Sequence, residues 1–179
     1  MIVNYQPSVI NITNTFNALQ FNYSQGSTIN IDDKTYQLVQ FHFHSPSENK
    51  IGDEPFPMEL HMVHKDDRGA LAIIGVFIVA GKKNPFLEVL WDNWPDGDKY
   101  PTFIEGNIQL NAEGLLPKNR FFYHYEGSLT TPPCTEGVNW YLFHSPIEAS
   151  GKQIMDFRKA LRDGENARPV QPLNGRKID

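Results

Sequence analysis

The sequence predicts an antiparallel, mainly β protein with a few short helices. Apolar and polar residues alternate through much of the first two thirds of the chain, as strands with one buried face require. Turn-forming clusters such as "SQGS", "DDK" and "DDRG" separate these stretches, and apolar residues recur at helical spacing in only two segments. Because the chain has 179 residues and no linker-like segment, we expect one domain spanning residues 1–179.

Charge and composition argue against several classes of protein. The net charge is -5, and no basic stripe with interleaved aromatic residues occurs, so a nucleic-acid partner is not expected. The longest apolar run, "ALAIIGVFIVA", is too short to cross a bilayer as a helix and predicts a buried strand. The opening "MIVNYQPSV" lacks the charged and apolar parts of a signal peptide.

The predicted strands occur in order along the chain. Residues 18–44 read as three strands separated by two turns, and the proline-rich "SPSENKIGDEPFP" follows as a loop. "MELHMVHK" and residues 70–80 predict two more strands. "RFFYHYEGS" and "GVNWYLFHS" predict strands on either side of "LTTPPCTE", whereas residues 103–117 show a mixed pattern.

Two segments predict helices. "NPFLEVLWDNW" has helical spacing and is stopped by Pro95. "SGKQIMDFRKALRDG" places Ile154, Phe157 and Leu161 on one face and is ended by Gly164. The tail after this helix is proline-rich, which predicts an extended segment.

Histidines stand out in the strand "LVQFHFH", because alternate side chains of a strand point to opposite faces. The polar face carries Gln40, His42 and His44. The opposite face, which we expect to pack in the core, carries Val39, Phe41 and Phe43. The strand therefore predicts a face lined by imidazoles.

"MELHMVH" repeats this pattern, with Glu59, His61 and Val63 on one face. The other face carries Met58, Leu60, Met62 and His64. If the two strands are neighbours, His42, His44 and His61 converge, and three neutral imidazoles are a common protein cage for catalytic zinc. Gln40 and Glu59 precede His42 and His61 by two residues, so they are candidates to hold the rings by their other N–H groups.

Spacing alone leaves alternatives open. The three histidines could be unrelated, hydrogen-bonded core residues. "HMVH" could also be a helical pair in which His64 replaces or joins His61, although the surrounding alternation favours a strand that turns His64 away. The order H-E-x-x-H of one zinc protease class is absent.

Three motifs together resemble the α-class carbonic anhydrases, especially the bacterial ones. They are "QFHFHSPSEN", "MELHMVH" and "EGSLTTPPCTEGVNWYLF", and the ending "FRKALR…RPVQPLNGR" is similar too. The resemblance implies a large, twisted, mostly antiparallel sheet with a conical cleft that leads to Zn²⁺. It also implies reversible hydration of carbon dioxide to bicarbonate, with weak ester hydrolysis as a side activity.

The resemblance also assigns roles to individual residues. His42, His44 and His61 match the zinc ligands, and Gln40 and Glu59 match the residues that hold them. Glu48 and Thr130 match a gatekeeping pair in which the Thr130 hydroxyl orients a zinc-bound hydroxide, and Thr131 is expected to contact bicarbonate. The apolar wall for carbon dioxide is expected at Val63, Ile73, Leu129, Val138 and Trp140. Asn166 is expected to support His44 through its backbone.

Two departures from the family pattern carry expectations of their own. The chain begins after the family's usual opening segment, which would leave Cys134 without its cysteine partner; as the only cysteine, it could also be a plain buried thiol. Exposed sheet edges would then favour a homodimer. Asn17 stands where fast relatives have a histidine proton shuttle, so we expect turnover that depends on external buffer.

The sequence leaves open one alternative function and two possible cellular locations. A catalytically silent, carbonic-anhydrase-like zinc-binding module is the rival, although all three zinc histidines are present here. The resemblance to bacterial relatives predicts a periplasmic or secreted protein, and the absence of a signal peptide leaves the cytoplasm as the alternative.

Overall fold

The computed structural model describes residues 1–14, 18–94, 102–161 and 163–179, with only the backbone of residues 102–105, 107 and 108. Within these ranges the chain forms eleven strands, two α-helices and one 3-10 turn at Ala112–Leu115. The strands are β1 Ile2–Asn4, β2 Ser8–Asn14, β3 Leu19–Asn22, β4 Thr28–Ile31, β5 Lys34–His44, β6 Met58–Lys65, β7 Leu71–Ala80, β8 Thr102–Leu110, β9 Phe122–Ser128, β10 Glu136–Phe143 and β11 Ile147–Ala149. The helices are α1 Pro85–Asp92 and α2 Gly151–Ala160. The predicted mainly β class is confirmed.

The described strands form one sheet in the order β8-β2-β3-β5-β6-β7-β10-β9, with β4 and β11 attached to β5 and β7 and β1 attached to β4. Most neighbours are antiparallel, as expected, whereas β10 and β11 each run parallel to β7. The sheet is not closed, since β8 lies at one end of this order and β9 at the other. The central neighbours β5 and β6 are the two strands that carry the predicted imidazole faces.

The two faces of β6 pack against different groups of side chains. Leu60 and Met62 belong to the main apolar core, which is almost completely buried. Val63 belongs to a smaller apolar cluster on the imidazole side. Each fully buried apolar side chain of the core contributes about 1.5–3 kcal/mol to folding, so the register of this strand is firmly set.

Helix α1 begins where local capping favours it. The Asn84 side chain accepts hydrogen bonds from the backbone N–H groups of Phe86 and Leu87, and Pro85 occupies the first turn. Leu87 and Leu90 are fully buried and attach the helix to the core. The helix ends at Asp92, before the predicted stop at Pro95.

Helix α2 is held by a reciprocal cap between Ser150 and Gln153. Ile154 and Phe157 face the core as predicted, and the helix ends at Ala160, earlier than the expected stop at Gly164. The Arg158 Nε–H donates to Ser45 Oγ at 2.9 Å. This bond ties the helix to the loop that follows β5, close to the imidazoles.

Three sequence expectations need correction. Val39 is 41% exposed and not in the core, because the β5–β6 pairing shifts register between Leu38 and Gln40. Leu38 is fully buried in its place. The mixed segment 103–117 contains β8, a nine-residue strand that pairs with β2. Cys134 is a free thiol and half-buried instead of fully buried.

Candidate metal centre

The β5–β6 ladder brings the three predicted imidazoles together. His42 lies directly opposite His61, and His44 lies opposite Glu59. The ring centroids are 4.9 Å apart for His42 and His44, 5.3 Å for His42 and His61, and 4.6 Å for His44 and His61. One nitrogen of each ring lies within 4.8 Å of the others, so the three side chains could hold one metal ion.

Each imidazole is held at one ring nitrogen by an oxygen. The pairs are His42 Nδ1 with Gln40 Oε1 at 2.9 Å, His44 Nδ1 with the Asn166 carbonyl at 3.2 Å, and His61 Nε2 with Glu59 Oε1 at 3.1 Å. Since a carbonyl or carboxylate oxygen accepts, each of these nitrogens carries the ring proton. The unprotonated nitrogens are therefore Nε2 of His42 and His44 and Nδ1 of His61. These are the atoms available to a metal.

Glu59 is the most heavily bonded carboxylate near the rings. Its Oε2 accepts the backbone N–H groups of Glu48 at 2.9 Å and Asn49 at 2.8 Å. Its Oε1 accepts the Asn49 side-chain N–H at 2.7 Å and faces His61. Because Glu59 is fully buried, these donors replace the water that an ionised carboxylate would otherwise need. The carboxylate thus connects His61 to the loop that carries Glu48.

Burial keeps two of the imidazoles neutral. It lowers the pKa of His42 well below its ordinary value, and the charges of His44 and His61 lower it further. Burial, followed by the charge of His61, lowers the pKa of His44 to about 4. Neutral imidazoles are the form that binds metal, so these two rings need no deprotonation near neutral pH.

His61 and Glu59 show the opposite balance. Burial alone would lower the pKa of His61, but the charge and hydrogen bond of Glu59, together with the charge of Glu48, raise it. Burial alone would raise the pKa of Glu59, but His61 and the hydrogen bonds from Asn49 lower it. Glu59 and His61 therefore favour each other's charged forms, so a proton competes with a metal for His61 Nδ1 at higher pH than it would at an ordinary histidine.

Glu48 lies beside the same nitrogens. Its Oε1 accepts the backbone N–H of Arg168 at 2.7 Å, and its Oε2 lies 3.4 Å from His44 Nε2 and 3.7 Å from His61 Nδ1. Within the described residues Glu48 Oε2 and His44 Nε2 are buried without a hydrogen bond, and His61 Nε2 is close to Glu59 but poorly aligned for one. A buried carboxylate oxygen and a buried imidazole nitrogen that both present lone pairs are a donor set that fits a cation.

Thr130 and Thr131 lie in the turn before β10. Thr130 is half-buried, Thr131 is exposed, and the described residues include no hydrogen bond between Thr130 and Glu48. Thr130 and Glu48 both line a cavity of about 330 Å³ that borders the site. The two residues expected to form a gatekeeping pair thus line the same cavity without a hydrogen bond between them.

The five residues expected to form the apolar wall belong to one cluster. Val63, Ile73, Val138 and Trp140 are its buried members, and Leu129 is half-buried against them. The Trp140 ring centroid lies 4.8 Å from that of His61. The imidazoles thus border an apolar surface that has little capacity to hydrogen-bond, as a site for a non-polar molecule requires.

Sequence reasoning missed several residues of the site. Asn49 and Tyr125 join the Glu59 network, and Arg168 contributes a backbone N–H to Glu48. Gly75 lies opposite His61, and a Cβ atom there would come within 3.0 Å of Glu59 Oε1. A glycine inside the apolar strand "AIIGVFIV" was the one local signal of such a close approach. Asn17, the expected shuttle position, lies outside the described residues.

Comparisons with known proteins agree with this geometry. The sequence profile of the family described as eukaryotic-type carbonic anhydrase matches residues 1–179. A carbonic anhydrase from Nostoc sp. is 42% identical over 178 residues, which cover 99% of this chain and 66% of that protein. One from Neisseria gonorrhoeae is 41% identical over 181 residues, which cover 98% of this chain and 69% of that protein. The chain therefore spans about two thirds of the length of these curated relatives.

Solved structures give the same result for the fold. The α-carbonic anhydrase from Thermovibrio ammonificans, in complex with the inhibitor sulfanilamide, matches with a TM-score of 0.93 at 40% identity. The match covers 98% of this chain and 76% of that chain. With a profile that spans the whole chain, relatives near 40% identity and this fold, the chain belongs to the eukaryotic-type, or α-class, carbonic anhydrase family.

Proposed function

We propose that the chain binds Zn²⁺ through His42, His44 and His61 and catalyses the reversible hydration of carbon dioxide to bicarbonate and a proton. The observation that carries this proposal is the convergence of three imidazole nitrogens within 4.8 Å, each ring held at its other nitrogen. Three nitrogen ligands leave one of the four zinc positions open, as catalytic sites require. When bound, zinc supplies a Lewis acid that lets water lose a proton near pH 7.

Glu48 and Thr130 are proposed to orient the reacting groups. With Oε1 of Glu48 held by the Arg168 N–H, Oε2 remains free to accept the Thr130 hydroxyl proton. A threonine whose proton is committed to a carboxylate can only accept at its oxygen, which fixes the direction of the hydrogen bond it receives. Thr131, exposed beside it, is the proposed contact for bicarbonate.

The apolar cluster is proposed to receive carbon dioxide. Carbon dioxide has no dipole, so it gains little from hydrogen-bond donors and binds best where water is poorly held. Val63 is 8% exposed, whereas Val138 and Trp140 are 1% and 2% exposed. We place the substrate against Val63, the most accessible buried member of the cluster, with Trp140 closing the wall beside His61.

A silent zinc-binding module is not favoured, because the three histidines, Gln40 and Glu59 form a complete set. The test is carbon dioxide hydration by stopped flow, with and without a zinc chelator, on the wild type and the His61→Ala variant. The proposal expects about one zinc per chain and chelator-sensitive activity, with both lost in His61→Ala. The exposed His144→Ala variant is the matched control and should keep both. Zinc-loaded wild type without hydration activity would sink the catalytic proposal.

Two broader expectations stay predictions, a homodimer and a periplasmic or secreted location. We propose a homodimer because β8 and β9 end the described sheet, although Asp179 already pairs with His124 on the outer edge of β9. Sedimentation velocity measures it. Neither described helix has the length and apolarity needed to cross a membrane.

A further inference from the structure

We propose that Asn49 is a positioning residue for His61. Its side-chain amide shares one oxygen of Glu59 with the imidazole and thereby limits how strongly Glu59 draws on the ring proton. This inference rests on the proposed role of His61 as a zinc ligand.

The shared oxygen is the first step of the argument. Asn49 Nδ2 donates to Glu59 Oε1 at 2.7 Å, and His61 Nε2 lies 3.1 Å from the same atom. Two donors on one oxygen compete, because each draws on the same negative charge. The other oxygen, Oε2, is already held by two backbone N–H groups, so the carboxylate cannot rotate to relieve this competition. The shorter contact, from Asn49, has good hydrogen-bond geometry, whereas the longer contact, from His61, is poorly aligned.

The direction of the Asn49 amide is fixed by its second partner. A carboxylate only accepts hydrogen bonds, so the nitrogen of the amide must face Glu59 and its oxygen must face away. That oxygen, Oδ1, lies 2.5 Å from the Tyr125 hydroxyl, which donates to it. Burial raises the pKa of Tyr125, so the hydroxyl keeps the proton it donates. The Tyr125 ring in turn stacks on Trp140, with centroids 5.9 Å apart and planes 3° from parallel.

These contacts form one chain from β9 to β6: Tyr125 to Asn49, Asn49 to Glu59, and Glu59 to His61. Bonding at the outer nitrogen of a metal-binding imidazole sets the basicity of its inner nitrogen. A stronger pull by Glu59 makes His61 Nδ1 a stronger donor, and a weaker pull does the reverse. Asn49 therefore makes His61 Nδ1 a weaker metal ligand than it would be if Glu59 Oε1 interacted with the imidazole alone.

The test compares the zinc-loaded wild type with Asn49→Leu and Tyr125→Phe. Leucine has the same branching and the same number of side-chain heavy atoms as asparagine, although it is larger, and it offers no donor. One measurement is the ¹H–¹⁵N NMR signal of the His61 ring N–H, whose proton moves downfield as its hydrogen bond strengthens. The other is the zinc dissociation constant, from competition with a chelator. Tyr123→Phe is the matched control, since the Tyr123 hydroxyl makes no hydrogen bond within the described chain and lies on the same strand.

The expected result for Asn49→Leu is a downfield shift and a zinc dissociation constant about tenfold lower, at the low end of what such partners change. Tyr125→Phe removes the hydrogen bond to the Asn49 amide oxygen. It should therefore change the proton signal and the zinc dissociation constant in the same directions, but by less. Tyr123→Phe should change neither quantity. If Asn49→Leu and Tyr125→Phe both bind zinc more weakly and the His61 ring N–H signal is unchanged or moves upfield, Asn49 only supports the loop. That result overturns this inference and leaves the proposed function standing. If Asn49→Leu does not fold, the sign of the Tyr125→Phe shift decides. A wild type that binds no zinc through His61 overturns the proposed function and this inference together.

Discussion

His61 and Glu59 form a buried imidazole–carboxylate pair, with His61 Nε2 and Glu59 Oε1 3.1 Å apart. The side chains are 1% and 0% exposed. They lie two residues apart on β6, so strand geometry places them on one face. A buried carboxylate is tolerated only when its remaining hydrogen-bonding capacity is filled, as the N–H groups of Glu48 and Asn49 fill it here. The pair therefore fixes both the orientation and the tautomer of His61.

Glu59→Gln should weaken zinc binding by about 10- to 100-fold. A glutamine side chain has one oxygen, and we expect it to accept the two backbone N–H groups that bond Glu59 Oε2 in the wild type. Its NH2 group then faces His61 Nε2, which must accept and therefore lose its proton. The ring proton moves to Nδ1, the nitrogen that a metal needs. Chelator competition measures the dissociation constant.

The matched control for this change is Glu126→Gln, an exposed carboxylate on β9. It removes the same charge from the chain without touching an imidazole. We expect its zinc affinity to equal that of the wild type. Equal affinities in all three proteins would show that the charge of Glu59 does not determine the tautomer of His61.

Zinc binding near neutral pH should release more protons than binding to ordinary histidines would. The carboxylates of Glu59 and Glu48 raise the pKa of His61 despite its burial, so the metal-free ring is protonated at higher pH than an ordinary histidine. Zinc displaces this proton, and affinity should fall as pH falls because the proton competes with the metal. Titration calorimetry in two buffers of different ionisation enthalpy counts the protons. Release close to zero at pH 7 and unchanged affinity at pH 6 would contradict the raised pKa.

Strand alternation predicted the convergence of His42, His44 and His61 on the condition that the two strands are neighbours. The period of two places side chains on a face without any knowledge of distant residues, and β5 and β6 are adjacent in the sheet. The same rule failed at Val39, where the register shift inserts one residue and moves that side chain to the surface. Alternation predicts faces only as far as the ladder is regular.

The rest of the site depends on contacts that leave no local pattern. Asn166 supports His44 through a carbonyl oxygen, and Arg168 holds Glu48 through an N–H, although both lie about 120 residues away. Backbone atoms are the same in every residue type, so no single sequence reveals them. Tyr125 and Asn49 are 76 residues apart in the sequence. Their contact depends on a turn and on the order of the strands in the sheet, which the hydrophobic periodicity does not determine.

Thr130→Ala should lower kcat/KM for carbon dioxide hydration by about 10²–10³, the range for losing one oriented hydrogen-bonding group. Thr130→Ser keeps the hydroxyl and should recover most of the activity. Both variants should bind zinc as the wild type does, because the three nitrogens that converge belong to His42, His44 and His61 and not to Thr130. Stopped-flow kinetics with metal analysis separates these effects. Equal losses in the two variants would point to packing of the turn and not to the hydroxyl.

His64 should make the fold sensitive to acid, independently of the zinc site. It faces away from the three imidazoles, where its Nδ1 lies 3.3 Å from the Ala72 carbonyl and its Nε2 lies 2.6 Å from the Tyr5 hydroxyl. The Nδ1–H donates to the carbonyl and Nε2 accepts from Tyr5, so the ring has no place for a second proton. Burial lowers its pKa to about 3, against 6.5 for an ordinary histidine.

Between pH 6.5 and about 3, the unfolded chain therefore binds a proton at His64 that the folded chain does not. Stability that is present above this window is lost as pH falls, by about 1.4 kcal/mol per pH unit. Urea unfolding of the wild type and His64→Gln at pH 6 and pH 5 measures the difference in slope, since glutamine can replace both bonds without titrating. The exposed His144→Gln variant should keep the wild-type slope. If wild type and His64→Gln lose stability in parallel, His64 is not the group that takes up the proton.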